Sequence, residues 1–136
     1  MVYFNYETDF ELVNEDVLAN WINTTIVKEG CKEGEINYIF CDDEYLHKLN
    51  VEFLDHDTLT DVISFDYCVG KEIHGDIYIS IERVKDNAID FKNDFIDELH
   101  RVIIHGILHY CGYKDKSESD ATLMRSKEDY YLSILQ

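Results

Sequence analysis

The spacing of hydrophobic positions changes several times along the chain, and each change marks an element. Val2 to Tyr6 alternates weakly and is rich in aromatic residues, which predicts a short strand. Asn14 stands as an N-cap before Val17, Leu18, Trp21, Ile22 and Thr25, a series recurring every three or four residues. That spacing predicts a helix to about Lys28, ended by Glu29-Gly30. Ile36, Tyr38 and Phe40 alternate within Glu35 to Cys41, a second strand. Asp42 or Asp43 then caps a helix in which Tyr45, Leu46, Leu49, Asn50 and Phe53 share a face.

Leu54-Asp-His-Asp-Thr58 reads as a polar loop, and His56 within it is a substrate contact, an accessory ligand or simply a solvated side chain. Thr60 to Asp66 and Asp76 to Ser80 are β-branched and apolar runs on either side of a turn at Gly70 to Gly75, which predicts an antiparallel pair. Ser80 caps a helix carrying Arg83, Val84 and Ala88, and Asn93-Asp94 breaks it. A helix then runs from near Phe95 to Cys111, and from Leu99 on it is apolar almost all the way round (Leu99, Val102, Ile103, Ile104, Ile107, Leu108, Cys111), the pattern of a buried helix. Ser117-Glu-Ser-Asp120 has the form of a capping box and opens a last helix with Met124, Tyr131, Leu132 and Leu135 inward. The expected fold is α+β, a single domain over residues 1–136. It has about four strands in a mixed sheet and about five helices, with the apolar helix central and buried.

Composition agrees with a soluble globular protein: 46% of the 136 residues are hydrophobic and 30% charged, enough to bury a core without staples. No run approaches the roughly 18 apolar residues of a membrane span, and the first residues lack the basic start and apolar stretch of a signal peptide. A cytoplasmic protein with no membrane partner is expected. Cys31, Cys41, Cys68 and Cys111 form no Cys-x-x-Cys pair and read as reduced, small apolar residues. The net charge of −17 opposes approach to a polyanion. Local charge differs, since Arg83, Lys85, Lys92, Arg101, Lys114, Lys116, Arg125 and Lys127 all lie in the C-terminal half. They form a basic patch or are scattered, solvated charges.

The chemistry concentrates in His105-Gly-Ile-Leu-His109-Tyr-Cys-Gly112-Tyr-Lys-Asp115. Histidines four apart project from one face of a helix and suit a single metal ion. Gly112 can take the left-handed conformation that ends a helix, so the chain can fold back and bring Asp115 to the pair. A His105/His109/Asp115 site leaves a coordination position open to water, as catalytic zinc sites do. Imidazoles on a buried helix need partners; a cation is one solution and a set of hydrogen bonds the other. Glu98 and Arg101 lie on the same face as His105, where they serve the site or form a salt bridge. Asp61 and Asp76 hold a histidine Nδ1 proton, approach the metal or cap turns.

This segment resembles the signature of the YbeY-type endoribonucleases, the rRNA maturation factors, which runs His-Gly-x-Leu-His-Leu-x-Gly-Tyr-Asp-His. His105, His109 and Gly112 match, and Asp115 stands at the place of the usual third histidine ligand. Asn50-Val-Glu-Phe53-Leu54, Thr60-Asp61-Val62-Ile63-Ser64-Phe65 and Gly75-Asp76-Ile77-Tyr78-Ile79-Ser80 are similar to further family blocks. Two departures stand out: Leu54 replaces an arginine thought to assist catalysis, and Leu59 replaces a usual proline. The arginine's role therefore does not carry over to position 54.

By spacing alone the site implies a metal-dependent hydrolase, because an ion held by three ligands lowers the pKa of its bound water to about 7. The zincin general-base position is Gly106 here, so that mechanism does not transfer, and Glu98 is the first candidate to manage the proton. The catalytic residues are otherwise open. The resemblance implies a single-strand-preferring endoribonuclease acting in 16S rRNA 3′-end maturation and ribosome quality control. Its partners would be the 16S rRNA precursor and the small ribosomal subunit. One Zn²⁺ is the implied cofactor, with other divalent transition metals allowed by the His/His/Asp set. The alternatives are a metallopeptidase-like hydrolase and a non-enzymatic assembly factor whose metal only braces the fold.

Overall fold

Backbone hydrogen bonding gathers these patterns into nine elements in the computed structural model, which describes residues 1–54 and 60–135. They are β1 (Val2–Tyr6), α1 (Glu15–Lys28), β2 (Lys32–Cys41), α2 (Asp43–Leu54), β3 (Val62–Asp66), β4 (Glu72–Ser80), α3 (Ile81–Asp90), α4 (Phe95–Tyr110) and α5 (Glu118–Ser133). The strands make one mixed sheet in the order β1-β2-β4-β3. β2 runs parallel to both β1 and β4, while β3 pairs antiparallel with β4 as expected. β2 starts at Lys32 rather than Glu35, because Lys32 and Glu33 pair with Glu72 and Ile73 across a register shift. Their polar side chains conceal that backbone pairing from the sequence.

Alternation along β2 and β4 divides the domain into layers. Ile36, Tyr38, Phe40, Ile73, Ile77 and Ile79 point to the side covered by α1, α3, α4 and α5, where the main core lies. Cys41, Ile63 and Tyr78 face the other way, against Leu46 and Leu49 of α2. The inward face of α1 is Leu18, Trp21, Ile22, Thr25 and Ile26, whereas Val17 is 40% exposed. Tyr45 and Phe53 likewise sit at the rim of α2, packing on Tyr78 and Phe65. Asp42 accepts from the Tyr45 amide at 2.8 Å, Ser80 from Arg83 at 3.2 Å and Ser117 from Asp120 at 3.0 Å. Asn14 occupies the N-cap of α1 without a side-chain hydrogen bond.

Three contacts seat α4 on the sheet. Tyr38 donates its hydroxyl to the Ile103 carbonyl at 2.8 Å, and Tyr110 donates to the Phe65 carbonyl at 2.9 Å. Between them a β-carbon at Gly106 would come within 2.9 Å of Ile77 Cδ1, so glycine permits the close approach of helix to strand. The fit is tighter at Gly75, where an added β-carbon would lie 2.7 Å from the Phe65 carbonyl and overlap the Tyr110 hydroxyl. Gly75→Ala is expected to destabilise the fold by about 1–3 kcal/mol, as overpacking does, and a thermal melt displaced downward by several degrees checks it. None of the helices among the described residues is long and apolar enough to cross a membrane. All four cysteines are free, as their spacing implied.

Candidate metal centre

The solvent-facing edge of α4 carries two imidazoles one turn apart. The rings of His105 and His109 have centroids 4.5 Å apart and stand almost perpendicular, with Nε2 of one 3.0 Å from Nε2 of the other. Cys111 caps the helix, and Gly112 follows at φ 109°, a conformation that favours glycine. The Gly112 and Tyr113 amides donate to the His109 and Leu108 carbonyls, both at 3.0 Å, and close the turn. The chain then reverses and brings Asp115 Oδ2 to 3.3 Å from His105 Nε2 and 3.4 Å from His109 Nε2.

The outer nitrogens explain why the inner ones converge. His105 Nδ1 lies 2.6 Å from Glu128 Oε2, and His109 Nδ1 lies 3.0 Å from the Tyr113 carbonyl oxygen. Both partners are acceptors, so each Nδ1 carries the hydrogen and each neutral ring turns an Nε2 lone pair inward. Two Nε2 atoms 3.0 Å apart beside a carboxylate call for positive charge between them, which a bridging proton or a metal ion supplies. Bonds of about 2.0–2.2 Å in tetrahedral geometry hold ligand atoms about 3.3–3.6 Å apart, which the two Nε2–Asp115 distances match, while the imidazoles would part by a few tenths of an ångström to seat an ion. The donor set of two imidazoles and one carboxylate suits zinc and other divalent transition metals.

Glu128 is the residue that sequence reasoning missed. It is only 5% exposed, and its other oxygen accepts from Arg101 Nη1 at 2.8 Å. Arg101 in turn donates to Asp129 at 2.7 Å, giving a chain of charges from Asp129 through Arg101 and Glu128 to the His105 ring. A signal was present: Met124, Glu128 and Tyr131 recur at helical spacing, so a carboxylate sits on the buried face of α5. Of the roles open to Asp61 and Asp76, one is corrected: neither holds a histidine Nδ1, because Glu128 and the Tyr113 carbonyl do. Asp76 accepts from Asn37 across the sheet at 3.2 Å. Asp61 lines the cleft beside the site and accepts from Asn87 at 3.4 Å. Of the two readings of Arg101, the salt bridge is the one observed.

This cleft, about 300 Å³, is bordered by Asp61, Glu98, His105, Asp115, Arg125 and Glu128. Glu98 is 6% exposed, and burial pushes its carboxyl pKa above the ordinary value. Burial pulls His105 down, but its hydrogen bond to the Glu128 carboxylate and the charges of Glu128, Asp115 and Asp61 outweigh it, leaving its pKa raised. In metal-free protein that shift stabilises the fold below the unfolded pKa of 6.5, and the contribution is lost as pH rises through the folded value. Protons and metal compete for Nε2. Metal affinity is therefore expected to fall as acidification passes the raised His105 pKa, beginning above pH 6.5. Chelator competition across about pH 6 to 8 measures it, and a flat affinity contradicts it.

The return loop is also held from behind. Tyr113 donates its hydroxyl to Glu29 at 2.6 Å, and Tyr131 donates to the other Glu29 oxygen. His56 and Leu59, and the side chain of Leu54, lie outside the described residues.

The fold and this site define a small α+β protein built around a buried helix, with a three-ligand group able to hold one metal ion. The family model for Endoribonuclease YbeY matches residues 3–136, and the chain belongs to that family. Its relatives include Endoribonuclease YbeY of Flavobacterium johnsoniae, 68% identical over 98% of this chain and 96% of the relative. The protein of the same name from Christiangramia forsetii is 53% identical, over 98% of this chain and 93% of the relative. Among solved structures, that of TM1509 from Thermotoga maritima superposes with a TM-score of 0.73 at 29% identity, covering 98% of this chain and 87% of the other.

Proposed function

We propose that residues 1–136 form a single-domain endoribonuclease that hydrolyses RNA phosphodiester bonds with one zinc ion held by His105, His109 and Asp115. The observation that carries this reading is the convergence of two Nε2 lone pairs and a carboxylate oxygen beside an open cleft. Family membership supplies the substrate class, RNA. A divalent ion bound there supplies Lewis acidity, which makes hydroxide available near neutral pH and polarises a phosphoryl oxygen. Glu128 holds the His105 ring by its Nδ1 hydrogen, and the Tyr113 carbonyl does the same for His109. Glu98, whose carboxyl keeps its proton to higher pH than usual, gives or takes a proton at its carboxyl oxygen across the cleft. Gly106, packed against Ile77, offers no carboxylate at the place of a zincin-type general base.

Within this reading the substrate is single-stranded rRNA, cut in the cytoplasm during maturation of the 16S 3′ end on the small ribosomal subunit. Incubating the chain with a structured RNA and with casein, each with and without a chelator, tests the reaction class. The expected result is RNA cleavage that the chelator stops and zinc restores, with casein intact. Casein cleavage with intact RNA overturns it. Cells carrying only Asp115→Ala should accumulate unprocessed 16S 3′ ends; normal ends would favour an assembly factor whose metal braces the fold.

A further inference from the structure

The cleft beside the site poses an electrostatic problem. Asp61, Glu98, Asp115 and Glu128 border it, and the chain as a whole carries a net charge of −17. RNA enters such a cleft only where cations meet its phosphates. Two arginines border the same cleft, and they differ in one respect. Arg101 is committed: Nη1 bonds Glu128 at 2.8 Å and Nη2 bonds Asp129 at 2.7 Å, with the side chain 18% exposed. Arg125 is exposed and makes neither a hydrogen bond nor an ion pair among the described residues.

We propose that Arg125 grips the scissile phosphate of the RNA beside the metal centre, as the free guanidinium of a cleft otherwise edged with carboxylates. The proposal rests on the RNA-cleaving reading given above. Arg125 stands three residues before Glu128 on α5, so both point from one face of the helix towards the side of His105. Its charge also reaches the Glu98 carboxyl on α4, which places it across the cleft from the proposed proton carrier. A guanidinium presents two parallel N–H donors to a phosphate, and it stays charged at every relevant pH. Lys114 and Lys116 flank Asp115, both exposed, and continue the positive rim along the path of the strand. Arg125 with Lys114 and Lys116 would give so acidic a protein a local cationic rim against which a polyanion can lie.

The test compares the full, zinc-loaded chain with its Arg125→Ala and Arg125→Lys forms, using a single-stranded RNA oligonucleotide for cleavage. A 2′-deoxy oligonucleotide of the same sequence reports binding by fluorescence anisotropy across a salt series. Arg125→Ala is expected to lower kcat/KM about 10²-fold, in the range seen when a donor to transition-state charge is removed. The salt slope of binding should fall by about 0.7, the value for one phosphate contact on a single strand. Arg125→Lys should restore the slope and only part of the rate, while zinc content and melting temperature stay at the wild-type values. A solvated surface arginine would leave rate and slope unchanged, and that result overturns the proposal. If the wild-type chain cuts no RNA, the proposed reaction falls; the salt slope then decides alone whether Arg125 contacts phosphate.

Discussion

Replacing Glu128 with alanine is expected to cost about 3 kcal/mol of stability and to lower zinc affinity about 10- to 100-fold. Both effects have one origin. Glu128 is almost fully buried between α4 and α5, and its two oxygens serve two donors, Arg101 Nη1 and His105 Nδ1. Truncation leaves a largely buried guanidinium with only Asp129 and an imidazole N–H with no acceptor. Breaking a buried pair from one side costs about 3–5 kcal/mol, and the lower end applies because Arg101 keeps its second carboxylate. The ring of His105, no longer held by Nδ1, is then free to turn its Nε2 away from Asp115. Glu128→Gln separates the two effects: the amide keeps the shape but offers a single acceptor oxygen for two donors. It should melt closer to wild type yet bind zinc more weakly, measured by thermal scan and chelator competition on the same samples. Equal zinc affinity in all three proteins would show that Glu128 is a packing residue only.

Removing a ligand should have the largest effect on activity. His109→Ala is expected to reduce RNA cleavage by about 10³-fold or more, because the Lewis acid contributes several kcal/mol to the transition state. His109 is the better choice for this test, since the atom left behind is the Tyr113 carbonyl on a partly exposed loop. His105→Ala would also leave one buried Glu128 oxygen without its donor and confound loss of metal with loss of stability. Chelation of the wild-type chain should reproduce the His109→Ala rate, and added zinc should rescue the chelated wild type but not the variant. A His109→Ala protein that melts normally and cleaves at the wild-type rate would remove the metal from the mechanism.

The three residues that converge at the candidate metal centre were legible in the sequence because their geometry is local. Four residues on a helix set the distance between His105 and His109, and Gly112 announced the reversal that returns Asp115. The same holds for α4, whose apolar circumference declared its burial. Glu128 reaches the site, and Arg125 its cleft, through the docking of α5 on α4, a contact 23 residues away in the chain for His105 and Glu128, and no local spacing encodes that docking. Helical spacing puts Glu128 on the buried face with Met124 and Tyr131, but only its two partners say what a buried carboxylate does there. Parallel pairing of β2 with β1 and β4 was equally silent, since alternation gives the faces of a strand and not its neighbours. Val17, Tyr45 and Phe53 show the converse limit: residues in phase with a buried face can still lie exposed at its rim.

The central claim is that His105, His109 and Asp115 together hold one ion. Elemental analysis of wild-type and His109→Ala protein, purified without added metal, tests it directly. The account predicts close to one zinc per wild-type chain and almost none in the variant. A wild-type chain without metal, or equal metal in both proteins, would contradict it.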